Sequence, residues 1–261
     1  MDRKAYWNET YVKYWRDVTS EANDKATSKS SVKKLHDGDS KTAGEEAVFH
    51  TLDMMDYKAR EMILDYGCGF GRLVPYFINK QLNYKGIDIS EAMIVECKRQ
   101  YPDIANRFFV AEGEKLPFAS QYFDKIICYG VFDACYQEQA LTEMFRVLKD
   151  GGKLLLTGKN TNYHIDDEQA YIAEEAARAK GHPNFFTDVR KMCNAIQQFG
   201  FIENQRYFLY RGDTGKEKYV KIAPSFFYEW QLVITKNAEM SGVLKFSDEF
   251  SRTWKIKNKS N

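Results

Sequence analysis

Residues 63–73 read ILDYGCGFGRL: a short apolar run, an aspartate, then glycines at 67, 69 and 71. Met62, Ile63 and Leu64 fit a strand buried on both faces, and Leu73-Val74-Pro75-Tyr76-Phe77 opens a helix. A strand, a glycine turn and a helix in that order build a cleft where a ligand lies directly against main chain. Everything downstream has the same rhythm. Strands are predicted at 84–89, 107–111, 123–130 and 153–158. Helices are predicted between them at 71–81, at 91–100 with Ser90 as N-cap, and at 137–148, stopped by Asp150-Gly151-Gly152. Such alternation means βαβ units and a parallel sheet covered on both faces.

Outside this stretch the pattern changes. Residues 3–18 place Trp7, Tyr11, Tyr14, Trp15 and Val18 at helical spacing, and residues 20–42 are rich in Ser, Lys, Asp, Ala and Thr. The chain therefore divides into an N-terminal helix with a lid or linker (1–42) and a main domain (43–261), whose first helix covers 43–57. After two helical stretches near 166–179 and 187–199 come strand-like runs at 202–210 and 226–235, an antiparallel pair for the sheet edge. The fold class is α/β: a doubly wound, mostly parallel seven-stranded sheet, with helices on both faces and the last strand antiparallel.

Composition sets bounds on function. The 261 residues carry 44% hydrophobic and 29% charged side chains, with a net charge of +1. No global field draws the chain to nucleic acid or to a membrane surface. The absence of a signal-like or bilayer-length apolar stretch points to a soluble, cytoplasmic protein. The five cysteines have no C-x-x-C spacing and read as reduced thiols. His36, His50 and His182 lack ligand spacing, so no metal site is expected.

A dinucleotide fingerprint requires its third glycine three positions after the second. Arg72 holds that place, which disfavours a nicotinamide-linked oxidoreductase. Acids fall instead at the C-terminal ends of consecutive strands: Asp65 before the loop, Asp88 on the second strand and Glu112 after the third.

With these residues in view, the chain resembles the class I S-adenosylmethionine-dependent methyltransferases of the small-molecule branch. LDYGCGFGRL (64–73) looks like their first motif and GIDIS (86–90) like their ribose-binding segment. AEGEKLPFASQYFDKIICYGVFD (111–133) and FRVLKDGGKLLLT (145–157) match their later motifs. The resemblance implies S-adenosylmethionine as cofactor. Gly67, Gly69 and Gly71 would face its methionyl and ribose portions, Asp65 its ammonium end, and Asp88 with the neighbouring Ile89 its ribose. Glu112 with the Gly113 backbone would read adenine, Tyr129 would offer a carbonyl to the ammonium, and Arg72 would meet the carboxylate. Tyr11 and Trp15 would close over it from the N-terminal helix. Ala111-Glu112-Gly113 departs from the family's Gly-Asp-Ala, and Asp133 stands where many relatives carry histidine.

Methyl transfer to a hydroxyl needs a base, and two groups follow the strand ends: Asp133 and His164. The acceptor pocket is expected around 159–186 and 211–224. There Arg211, Lys216, Lys218 and Lys221 would grip an anion or be neutralised by Asp213 and Glu217. No basic, aromatic-interleaved stripe marks a nucleic-acid groove, and YGVF (129–132) lacks the turn of base-amine enzymes. The expected acceptor is a small polar molecule. YWNETYVKYW (6–15) resembles methyltransferases of bacterial surface-polysaccharide synthesis, which favours O-methylation of a saccharide or its phosphate-linked group. N-methylation of a small amine, or a non-catalytic cofactor-binding module, are the rival readings.

Overall fold

The computed structural model describes residues 3–13, 45–179, 182, 184–237 and 242–246. Seven strands form one sheet: β1 (Met62–Tyr66), β2 (Asn83–Asp88), β3 (Phe108–Val110), β4 (Phe123–Cys128), β5 (Leu148–Lys159), β6 (Gly200–Phe208) and β7 (Glu229–Lys236). Their order across the sheet is β3-β2-β1-β4-β5-β7-β6. β1 to β5 pair in parallel, while β7 lies between β5 and β6 and runs antiparallel to both. The expected doubly wound sheet with an antiparallel last strand is therefore present. Strand order reverses between β2 and β4 around β1, which opens the crevice where such sheets bind ligands.

The helices are α1 (Arg3–Ala5), running on as a π-helix over Tyr6–Tyr11, α2 (Glu45–Leu52), α3 (Val74–Asn79), α4 (Glu91–Gln100), α5 (Gln137–Val147), α6 (Glu168–Ala179) and α7 (Val189–Ile196). Alternate strand residues feed opposite layers, as a sheet buried on both faces requires. Ile63, Ile127, Leu155 and Val233 pack with Val48, Phe77 and Ile94 on one face. Leu64, Ile126, Leu154, Leu156 and Leu232 pack with Leu141, Met144 and Met192 on the other.

Some boundaries move. The helix expected over 71–81 starts at Val74, because Gly71 sits at φ +80° and the loop is still turning there. β5 begins at Leu148, so Asp150-Gly151-Gly152 forms an irregularity within the strand rather than a simple helix stop. Ser90 caps as read, accepting from the Met93 N–H; the structure adds Asp188, which accepts from the Lys191 N–H to start α7. Trp15, Tyr14, Val18 and the 20–42 segment lie outside the described residues.

Candidate functional site

A cavity of about 490 Å³ opens at the C-terminal edge of β1, β2 and β4. Its floor is the glycine loop. Gly67 and Cys68 both donate their N–H groups to the Ile87 carbonyl, at 2.9 and 2.8 Å, which folds the loop back over β2. Gly67 adopts φ +78°, and a Cβ there would lie 2.5 Å from Val131. Gly69, at φ +53°, has only the Met93 sulfur at 3.9 Å near its missing Cβ, so its main chain faces open space. Cys97 Sγ donates to the Gly69 carbonyl at 3.1 Å and holds the loop from the α4 side.

Asp88 is the polar centre. Its Oδ2 accepts from the Gly69 N–H at 3.0 Å and its Oδ1 from the Ser90 N–H at 2.8 Å. Burial raises its pKa, while these backbone donors pull it back. Each carboxylate oxygen keeps a second lone pair, the capacity needed to accept a diol. Ile89, Arg72, Tyr129 and Tyr11 also line the cavity, with Gly67, Gly69, Gly71, Asp88 and Gly113. The structure thus brings nine of the twelve expected cofactor residues together.

The remaining three divide. Trp15 is outside the described residues. Asp65 is a correction: it does not line the cavity, but lies buried under the loop and accepts from the Tyr84 hydroxyl at 2.9 Å. Burial pushes it up to about 7. Glu112 is a second correction. The chain turns after Ala111, whose N–H bonds the Asp88 carbonyl, and Glu112 is left exposed and does not line the cavity. Gly113 does line the cavity, for a reason the sequence hid: a Cβ there would sit 1.7 Å from the Tyr66 hydroxyl oxygen.

Glu114 faces the cavity where Glu112 was expected. It forms an ion pair with Arg3 and accepts the Tyr136 N–H at 2.7 Å. Arg3 also packs 4.5 Å from the centre of the Tyr136 ring. Burial would lower the Arg3 pKa, but the Glu114 pairing raises it overall. Trp7 and Tyr11 contact each other edge to face at 4.4 Å over the same opening, and the Tyr6 hydroxyl bonds His182 Nδ1 at 2.9 Å. Nothing in the composition of the N-terminal stripe pointed to Arg3, because its partner lies 111 residues away.

One turn beyond the cavity lies a second polar region. Asp133 sits in the 3₁₀ turn Phe132–Ala134 that follows β4, and its Oδ1 accepts the Lys159 N–H at 2.9 Å. Lys159 Nζ reaches Glu174 at 2.7 Å. Glu174 also accepts from the Tyr228 hydroxyl and the Asn184 amide. Glu229, at the start of β7, accepts from Thr214. Burial pushes Asp133 up to about 7 and raises Glu229 as well. For Lys159 burial alone would lower the pKa, but Glu174, Asp133 and Glu229 together raise it. Arg72 and Glu229 both act electrostatically on the Tyr129 hydroxyl, so this cluster adjoins the cavity wall.

His164 is not brought to either place. Its ring stacks on Tyr210 at 4.8 Å and leans on Phe226 at 5.6 Å, and it does not line the cavity. Phe185 and Phe186, at the end of the 159–186 segment expected to wall the acceptor pocket, pack by Tyr136 and Tyr163. Asp213 is buried and accepts from the Tyr210 N–H, and Glu217 pairs with His50 at 2.9 Å, so neither neutralises the loop lysines. Among the described residues, no three His, Cys, Asp or Glu side chains are placed to hold a metal ion, and no helix is long and apolar enough to cross a membrane.

Comparison with known proteins agrees with this geometry. The family model described as a methyltransferase domain matches residues 64–156. A demethylmenaquinone methyltransferase of Beutenbergia cavernae is 31% identical over 112 residues, covering 42% of this chain and 46% of that protein. The ubiquinone/menaquinone biosynthesis C-methyltransferase UbiE of Yersinia enterocolitica is 35% identical over 114 residues, covering 41% and 45%. The chain thus spans about half the length of the curated relatives it matches. Among solved structures, geranyl diphosphate C-methyltransferase from Streptomyces coelicolor, in complex with S-adenosyl-L-homocysteine, superposes with a TM-score of 0.58 at 11% identity, covering 86% of this chain and 84% of that one. Glycine loop, strand order and family model agree: residues 64–156 match a methyltransferase domain set in a doubly wound sheet.

Proposed function

We propose that this chain transfers the methyl group of S-adenosylmethionine to a small-molecule acceptor, with Asp133 taking the proton that the acceptor's nucleophile sheds. The cofactor supplies an electrophilic methyl on a cationic sulfur. Gly67, Gly69 and Gly71 would let main chain lie against its methionyl and ribose portions, and Asp88 would accept from the ribose hydroxyls. Arg72 suits the methionyl carboxylate, and Tyr129 would bound the methyl end. Trp7, Tyr11 and the Arg3–Glu114 pair would exclude water from above. Alignment of this kind is worth roughly 7–11 kcal/mol in a bimolecular displacement.

The observation that carries the base assignment is the environment of Asp133. A carboxylate with a pKa of about 7 is half deprotonated at neutral pH, where a general base works best. It holds one backbone donor from Lys159 and keeps its remaining lone pairs for an acceptor. His164, the other expected base, packs against Tyr210 and Phe226 and takes no part in proton transfer in this reading.

The cluster of Asp133, Lys159, Glu174 and Glu229 favours an acceptor that presents hydroxyl or amine groups, in keeping with O-methylation of a small polar molecule. One curated relative is named a demethylmenaquinone methyltransferase and another a ubiquinone/menaquinone biosynthesis C-methyltransferase, so the saccharide acceptor suggested by the N-terminal segment gains no support from them. Those names favour a second reading, methylation at a ring carbon activated by loss of a phenolic proton, for which Asp133 would serve equally.

Incubating the chain with methyl-labelled cofactor and a panel of saccharides, amines and quinols, followed by mass spectrometry and carbon NMR, decides among these. A labelled O-methyl product supports the first reading and a ring C-methyl the second. No labelled product on any acceptor, with cofactor bound, would leave the non-catalytic module standing.

A further inference from the structure

The loop between β6 and β7 places unusual side chains in water. Ile222 is 84% exposed, with Phe226 at 43% and Val220 at 39%. Ile165, adjacent to the His164 ring that leans on Phe226, is 52% exposed. These side chains are not left out by a slack backbone. Val220 and Tyr207 exchange both backbone hydrogen bonds at 2.9 Å, Gln205 Nε2 donates to the Lys221 carbonyl at 2.9 Å, and Arg190 donates to the Pro224 carbonyl at 3.4 Å. The segment is fastened to the sheet edge and to α7, with its apolar side chains turned outward. Exposed apolar groups gathered on an ordered loop mark an interaction surface.

Charge selects the partner. Lys216, Lys218 and Lys221 are exposed on the same loop, and among the described residues none has a carboxylate within ion-pair distance. The acids nearest in sequence are engaged elsewhere: Asp213 is buried in its own turn and Glu217 binds His50. The chain's net charge of +1 conceals this local surplus. The same loop carries Tyr210, stacked on His164, and Tyr219, packed on Phe208, and amphipathic rings suit a boundary between oil and water. The loop joins Phe208 to Glu229, and Glu229 pairs with Lys159 at the end of β5, so it lies on the same sheet edge as the cofactor cavity.

We infer that Ile165, Val220, Ile222 and Phe226, together with Lys216, Lys218 and Lys221, form a docking surface for an anionic lipid bilayer. An apolar tip inserts at the headgroup level while unpaired lysines meet anionic headgroups. This inference does not depend on which acceptor is methylated.

The test is co-sedimentation of the full chain with vesicles of phosphatidylcholine alone, or of phosphatidylcholine mixed with phosphatidylglycerol. Binding is expected only with the anionic mixture and weakens with added salt. Ile222→Glu is expected to reduce partitioning at least tenfold. The triple variant Lys216→Gln, Lys218→Gln, Lys221→Gln should reduce it by about a hundredfold, each lysine contributing roughly fivefold. Unchanged titration of S-adenosylhomocysteine into both variants shows that they are folded. Equal sedimentation with both vesicle types, or binding indifferent to Ile222→Glu, overturns the inference. So does capture by an acidic polypeptide but not by vesicles, or a dimer that Ile222→Glu dissociates without any vesicle binding by the parent chain.

Discussion

The two ends of the site are built differently. At the proposed cofactor end, residues 63–90 supply the cavity floor and the Asp88 carboxylate from one continuous stretch, largely with main chain: Gly67 and Cys68 on the Ile87 carbonyl, and Gly69 on Asp88. At the proposed acceptor end, Asp133, Lys159, Glu174 and the adjacent Tyr228 and Glu229 come from four separate segments and meet largely through side chains. Main-chain architecture tolerates few residue types and so leaves a local signature. Side-chain architecture assembled from distant segments leaves none, and is free to change with the acceptor.

The largest expected effect comes from breaking the main-chain end. Gly67→Val should abolish cofactor binding, because its Cβ would meet Val131 at 2.5 Å and its backbone would stay at φ +78°. Calorimetry with S-adenosylhomocysteine checks this, with circular dichroism to separate lost binding from lost fold.

Asp133→Asn tests the side-chain end. It should lower kcat about a hundredfold or more while leaving cofactor affinity within twofold. In the parent chain kcat/KM should rise with pH and level off above about 7, as Asp133 deprotonates; in the variant that rise should vanish. Retained rate with the same pH profile would remove Asp133 as base.

Asp65 gives an effect on stability rather than rate. Burial raises its pKa from the ordinary 3.8 to about 7, so the folded state holds a proton that the unfolded state releases between those values. Its stabilising contribution is complete below pH 4 and is lost as pH climbs through 7, by up to ~4 kcal/mol. Asp65→Asn should flatten this fall, measured as thermal midpoint against pH from 5 to 8.

The smallest effect is expected at His164. His164→Ala should leave kcat/KM within about twofold, since the ring packs on Tyr210 and Phe226 and faces neither the cavity nor Asp133. A loss above tenfold would reopen its role in proton transfer.

These contrasts explain what was legible in the sequence. The β1–loop–β2 unit declares itself through glycine spacing and strand-end acids, because positive φ and close backbone approach restrict those positions to few residues. Glu112 reads as a cavity residue because a strand-end acid and its neighbour two residues on look alike until the turn after Ala111 is seen. Asp65 reads the same way for a related reason: strand alternation settles which face an acid occupies, and Tyr84, its partner, lies on another strand. Gly113 does line the cavity, and its tightest steric constraint is the Tyr66 hydroxyl. The Arg3–Glu114 closure and the Lys159–Glu174 pair are long-range contacts, invisible to any local pattern.

The central claim is that Asp88, held by the Gly69 and Ser90 N–H groups, grips the cofactor's ribose. Titration calorimetry of S-adenosylhomocysteine into the parent chain and Asp88→Ala tests it most directly. A parent affinity in the micromolar range, weakened at least a hundredfold in the variant by unpaired ribose hydroxyls, is the predicted result. Equal affinity in the two proteins would contradict it.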